Sequence, residues 1–261
     1  MGYSKIAIPQ SRIATFDVFA MGKKKNHVTA LLEFDVTNAR QHIANLRKSG
    51  VKLSFTAWIT FCIAHTLKNH PQIASFKLNK RNRLVFDNIN IAMIAEKNTG
   101  TQKVPLPFII ENAETKSAET ITKEIHEARQ SRSSADCTVI HRKQSFSEKV
   151  YYSLPGNFRK FVWKRILKNP KWMFRNMGNV SITSLTAAGK LNSWFIHSSI
   201  HPVSFGLGVV MKKPVVVENE IQIREILNMT ILLDHDLVDG MPMAAFVKDL
   251  NRNIEACVGL D

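Results

Sequence analysis

The chain has 261 residues and a mass of 29.6 kDa, with 36 Lys and Arg against 21 Asp and Glu, a formal charge of +15. Its hydrophobic (44%) and charged (22%) fractions exclude disordered, collagen-like and fibrous classes, and its length is enough to bury one sizeable core. The positive excess is the unusual quantity: it fits a polyanion, an anionic membrane surface or a phosphorylated co-substrate, without choosing among them.

Taken in chain order, residues 28–36 read as a strand, and Thr37 or Asn38 is placed to cap a helix ending before Gly50. Ser54 opens a helix over 55–68, with Phe55, Trp58, Ile59, Cys62, Ile63 and Leu67 at helical spacing until Pro71 stops it. Residues 83–95 read as two strands around an Asp87-Asn88 turn, 104–110 as another strand, and 115–129 as a helix carrying Ile121, Ile125 and Ala128. Beyond Gly178, strands are predicted over 179–185 and 203–211. Residues 214–217 turn through Glu218-Asn219-Glu220 into 221–223, and a last strand (227–233) precedes a closing helix over 241–257. This irregular interleaving predicts one α/β domain over 1–261 with a mixed sheet.

The exception is a basic, aromatic-rich insert at about 129–177. It holds twelve Lys and Arg against Asp136 and Glu148, so +10 of the +15 sits there and +5 is left for the rest. On a helical wheel for 157–168, Phe158, Val162, Trp163, Ile166 and Leu167 share one half, and Lys160, Lys164, Arg165 and Lys168 the other. Arg159 and Phe161 fall on the wrong sides. Residues 144–177 suit an anionic membrane surface or a protein partner; a helix packed on its own subunit with a solvated basic face is the plain alternative. No nucleic-acid-binding motif accompanies the charge.

Cys62, Cys137 and Cys257 form no CxxC pair, which argues against a disulfide framework or structural zinc. No apolar run is long enough to span a bilayer and the N-terminus has no signal core, so the expectation is a cytoplasmic protein, peripheral at the inner membrane face if the insert docks there. The segment Leu233-Asp-His-Asp-Leu-Val-Asp-Gly240 carries the chemistry. A histidine at a strand end before a helix start suits a general base, and Asp239-Gly240 offers an ion-pair anchor and a sharp turn. The other eight histidines are read as no metal-ligating set, so no metal is expected.

His235-x-x-x-Asp239-Gly240 resembles the signature shared by chloramphenicol acetyltransferases and the catalytic domains of 2-oxoacid dehydrogenase (dihydrolipoamide) acyltransferases. Similar stretches are His27-Val-Thr with Glu33-Phe-Asp-Val-Thr37, Ser54-Phe-Thr-Ala-Trp-Ile, Lys116 to Ile125, Gly178-Asn-Val-Ser-Ile-Thr-Ser-Leu185, Lys213 to Ile221 and Arg12-x-x-x-Phe16-x-x-Phe19. They cover nearly everything outside the insert. The resemblance implies a chloramphenicol-acetyltransferase-like two-layer sandwich and a homotrimer with active sites between subunits. It also implies acyl transfer from a thioester, acyl-coenzyme A, to an unknown thiol or hydroxyl acceptor. His235 would be the general base, Ser184 the hydroxyl donor to the oxyanion, and Asp239 a structural support bridged to Arg12. Asp236 stands where arginine is common, and Thr183-Ser184 where Ser-Asn is frequent. No lipoyl domain precedes Arg12, so a stand-alone form without a covalently attached lipoyl group is expected. The rival is a non-catalytic scaffold or partner subunit that docks through the insert.

Overall fold

The computed structural model describes residues 2–5, 11–98, 103–130, 151, 153–185, 189 and 192–260. Helix α1 (Ser11–Gly22) leads into strand β1 (His27–Asp35), then α2 (Thr37–Lys48) and α3 (Phe55–Asn69). The short pair β2 (Phe76–Lys77) and β3 (Arg83–Leu84) precedes β4 (Ile91–Asn98), β5 (Lys103–Ile110) and α4 (Ala118–Gln130). The insert contributes α5 (Gly156–Leu167) and α6 (Pro170–Met177) before β6 (Val180–Ser184), β7 (Val203–Val217), β8 (Glu220–Asp234) and α7 (Gly240–Glu255).

Six strands form one sheet in the order β1-β8-β7-β6-β4-β5. The β4-β6 and β6-β7 pairs are parallel and the others antiparallel, which is the mixed sheet expected. Helix α3 is the centre of the second layer. Trp58, Ile59 and Ile63 pack in one core with Ile121 of α4, with Phe246, Leu250 and Ile254 of α7, and with Phe205 and Met229 of the sheet. Each such side chain contributes about 1.5–3 kcal/mol on burial, which explains why the apolar spacing of these helices is legible in the sequence. A smaller cluster of Met21, Phe76, Met173 and Ile200 joins α1 to the insert helices.

Three local expectations change. Residues 83–95 make no hairpin: Arg83–Leu84 pairs with Phe76–Lys77 in a separate ribbon, while Ile91–Asn98 enters the main sheet. Asparagines hold this crossover. Asn90 N–H donates to Asn179 Oδ1 (2.8 Å), and Asn90 Oδ1 accepts from Asn112 N–H (2.9 Å). The four C-terminal strand pieces are two continuous 15-residue strands. Pro214 does not interrupt β7, because beyond Leu207 that strand pairs only with β8 and sits at an edge that tolerates proline. Thr37 lies inside α2, and its backbone and hydroxyl both donate to Asp35 Oδ1 (2.9 and 2.6 Å). Residues 131–150 of the insert, with Cys137 and His141, lie outside the described residues.

Candidate active site

His235 follows the last residue of β8 and, among the described residues, is held by its backbone and not its ring. Its N–H donates to the Asn26 carbonyl (2.9 Å), while the Asp234 carbonyl accepts from the N–H groups of Leu237 and Val238 (3.1 and 3.2 Å). Val238 then plugs into the main core. The turn is thus fixed at both ends while the histidine side chain is exposed on the surface of the chain.

Asp234 is the electrostatic anchor. Its carboxylate is almost fully buried and accepts from Lys25 Nζ at 2.6 Å. Its backbone N–H donates to the Pro202 carbonyl (2.9 Å), and Oδ1 accepts from Asp236 N–H (3.2 Å). Asp236 does not leave a free negative charge beside the base: Lys77 Nζ (2.9 Å) and Asn26 Nδ2 (3.0 Å) both donate to it. Those two bonds, the Lys77 bond first, hold its carboxyl below the usual range.

The expected Arg12–Asp239 bridge is not formed in this chain. Both residues are exposed, Asp239 precedes α7 without a side-chain cap bond, and the ion pairs among the described residues do not join them. The reason lies in how α1 docks. Its buried residue Asp17 turns toward the insert, accepting from Arg159 Nε (2.8 Å) and the Tyr151 hydroxyl (2.6 Å), and Arg12 is left on an outward side. The ion pair that the same turn does form within the subunit is Lys25–Asp234. Sequence reasoning missed that pair because Lys25 sits in a run of three lysines that reads as solvated charge.

Nor does one chain bring the candidate base and hydroxyl together. Ser184 ends β6, exposed, opposite Leu207 of β7; Leu207 pairs with Met229, which precedes His235 by six positions on β8. At about 3.3 Å per residue and 4.8 Å per strand, roughly 20 Å separates the two. Thr183, one residue earlier, is half-buried and opposite Gly206.

Behind the site runs a buried polar chain. His27 Nε2–H donates to the His201 carbonyl (3.0 Å), and His201 Nε2–H donates to the Met177 carbonyl (2.9 Å). Hydroxyls of Ser199, Ser181 and Ser204 continue to His197 Nε2 (3.1, 2.6 and 2.6 Å for successive links). His197 and His201 do stand four apart, a spacing that can hold a metal on a helix, but here they lie outside any helix and their Nε2 atoms are already bonded. Among the described residues no group of His, Cys, Asp or Glu is arranged to hold a metal ion.

Burial pushes the His201 and His197 imidazoles down to about 4. The unfolded chain, with histidines near 6.5, therefore binds more protons between pH 6.5 and 4. Stability is complete above that window and falls as pH drops through it, by up to roughly 3 kcal/mol for His201 alone. The urea midpoint should decline from pH 7 to 4.5 in the wild type, and less steeply in His201→Gln. An equally steep decline in the variant would exonerate His201.

The family model for the 2-oxoacid dehydrogenases acyltransferase (catalytic domain) matches residues 2–139 and 176–260. The chain is 22% identical over 239 residues to the dihydrolipoyllysine-residue succinyltransferase component of the 2-oxoglutarate dehydrogenase complex from Buchnera aphidicola subsp. Acyrthosiphon pisum (strain APS), covering 88% of this chain and 48% of that protein. It thus spans about half the length of the curated relatives it matches at full extent. Among solved structures, a probable dihydrolipoamide acetyltransferase from Listeria monocytogenes 4b F2365 aligns with a TM-score of 0.70 at 20% identity, over 98% of this chain and 96% of that one. The dihydrolipoamide acetyltransferase of Azotobacter vinelandii, studied for the roles of a serine, a histidine and an asparagine in its catalytic mechanism, aligns at 0.69 and 17%, over 99% and 94%. A chloramphenicol acetyltransferase aligns at 0.50 and 11%, over 96% and 100%, so the expected fold is the one found. With the match broken only across the basic insert, the chain belongs to the 2-oxoacid dehydrogenase acyltransferase family and carries that family's catalytic domain.

Proposed function

We propose that this protein transfers an acyl group between coenzyme A and a second thiol or a hydroxyl, with His235 as the general base and the site completed by a neighbouring subunit of a homotrimer. The observation that carries the reading is the geometry of His235: a backbone anchored by Asn26, Asp234 and Val238, a ring exposed, and the candidate hydroxyl roughly 20 Å away in the same chain. Among the described residues the candidate hydroxyl of the same chain lies far from the His235 ring, and a cyclic assembly that apposes one subunit's β8 end to the next subunit's β6 end would bring the two together. The relatives' names contribute the chemistry of the acceptor, a dihydrolipoyl thiol.

In this scheme His235 takes the proton from the attacking thiol or hydroxyl as its sulfur or oxygen bonds to the thioester carbonyl carbon. The carbonyl oxygen becomes an oxyanion that a protein hydroxyl stabilises, and collapse breaks the old C–S bond. The proton on the imidazolium passes to the departing thiolate, so base and hydroxyl end as they began.

In the Azotobacter protein the histidine and asparagine under study are four apart, as are His235 and Asp239, and the serine precedes the histidine by 52 positions. Counting back 52 from His235 reaches Thr183; Ser184 is 51 back. Thr183 is thus a stronger candidate than Ser184 for the oxyanion donor, and its half-buried place beside Gly206 fits a positioned hydroxyl better than an exposed strand end. Thr183→Val is expected to lower turnover about a hundred- to a thousandfold, and Ser184→Ala only a few-fold; the reverse outcome returns the role to Ser184. The founding experiment is release of coenzyme A thiol from a panel of acyl-coenzyme A thioesters with dihydrolipoamide as acceptor, and mass spectrometry of the product. No turnover across the panel would leave the non-catalytic scaffold as the better reading.

A further inference from the structure

The outward face of α5 is not accounted for by packing within the chain, and the family model does not extend over it. Its inner side is committed to α1. Arg159, on the wrong half of the predicted wheel, donates to buried Asp17 (2.8 Å) and to the Leu154 carbonyl (2.6 Å), while Trp163 Nε1–H donates to the Tyr151 hydroxyl (2.8 Å). Trp163, Ile166 and Leu167 pack against the small Met21–Ile200 cluster.

Phe161, the other residue on the wrong half, points the opposite way. It is 63% exposed and lies on the same arc as exposed Lys160, Lys164, Arg165 and Lys168. Phe158, 57% exposed, borders that arc with its ring centroid 6.2 Å from that of Phe161. In the next helix Lys171, Trp172 and Arg175 are exposed as well. Residues 153–177 hold seven Lys and Arg and no Asp or Glu, and the family model stops at 139 and resumes at 176.

A solvated basic face needs lysines but not phenylalanines, whose exposure forfeits hydrophobic stabilisation. Cations interleaved with outward aromatic rings match a surface that presents anionic phosphates above an apolar layer. No helix among the described residues is long and apolar enough to cross a membrane, so attachment would be peripheral. We propose that the outer face of α5, with Phe158 and Phe161 set among Lys160, Lys164, Arg165 and Lys168, docks this protein on an anionic lipid bilayer. The rings enter the headgroup boundary and the cations meet lipid phosphates.

The test is co-sedimentation of the full chain with vesicles of phosphatidylcholine containing one part in three phosphatidylglycerol, against phosphatidylcholine alone. The wild type should sediment with the anionic vesicles only. Each basic group near such a surface is worth about fivefold in partitioning, so Lys160→Glu, Lys164→Glu and Lys168→Glu together should weaken binding by more than about a hundredfold. Phe158→Ser with Phe161→Ser should weaken it by about tenfold. Circular dichroism and gel filtration check that the variants keep fold and assembly. Wild type that stays in the supernatant, or either set of variants sedimenting like wild type, would overturn the proposal. So would a change of assembly state in the serine pair, because the face would then be a protein contact.

Discussion

His235→Ala is expected to lower acyl transfer by about a hundred- to ten-thousandfold, the range a positioned general base contributes. Urea stability should stay within about 0.5 kcal/mol of wild type, because the ring is exposed and the anchoring is done by the backbone N–H bonded to Asn26, which alanine keeps. This separation of activity from stability is the useful feature: a histidine that merely shaped the turn would lose both or neither. Equal thioester turnover by variant and wild type would remove His235 from the chemistry.

The same variant tests the shared site. If His235 of one subunit works with the β6 hydroxyl of the next, His235→Ala and Thr183→Val subunits are complementary. Unfolded together in equal amounts and reassembled, they place both intact groups at about one interface in four. Activity near a quarter of wild type, from two proteins that are each nearly inactive, is the expected result. A mixture no more active than its parts would mean that base and hydroxyl never meet across a boundary.

The largest stability effect is expected at Gly178, where the insert rejoins the sheet. Its backbone takes φ 75° and ψ 173°, a region essentially confined to glycine. A Cβ there would run into the Asn90 carbonyl oxygen and lie 3.0 Å from its carbon, both backbone atoms that cannot swing aside. That carbonyl also accepts from the N–H groups of Asn179 and Val180 (3.0 and 3.2 Å), so moving it disturbs the β4-β6 start. Gly178→Ala should therefore cost about 3 kcal/mol or more, combining dihedral strain with overpacking. Urea unfolding at pH 7 measures it, with Gly50→Ala as a control: that glycine also has positive φ but open space around it, so only the dihedral cost remains. Equal losses at both positions would show that the close approach to Asn90 contributes nothing.

Much of the architecture was legible because local rules and tertiary packing agree. Apolar residues three and four apart in α3 and α7 are the residues that meet in the core, and Ser54 was recognisable as a cap because its side chain accepts from Ala57 N–H. Where partners are distant in sequence the reading failed. Nothing near Arg83 or Ile91 says that one joins a ribbon and the other the main sheet, since both are short apolar runs beside the same turn signal. Arg12 and Asp239 were matched by resemblance, yet Asp17 decides which side of α1 faces inward.

The family fold, the His235 motif between strand and helix, and the concentration of positive charge in one insert follow from the residues alone, because each is written in adjacent positions. The Lys25–Asp234 anchor of the motif and the neutralisation of Asp236 by Lys77 arise only in the packed chain. So do the separation of the candidate base and hydroxyl, which lie toward opposite ends of β6 in one chain, and the outward turn of Phe161 in place of Arg159. Each of these depends on pairing between groups far apart along the chain, and burial of a single charge such as Asp17 can choose among arrangements that local periodicity leaves equal.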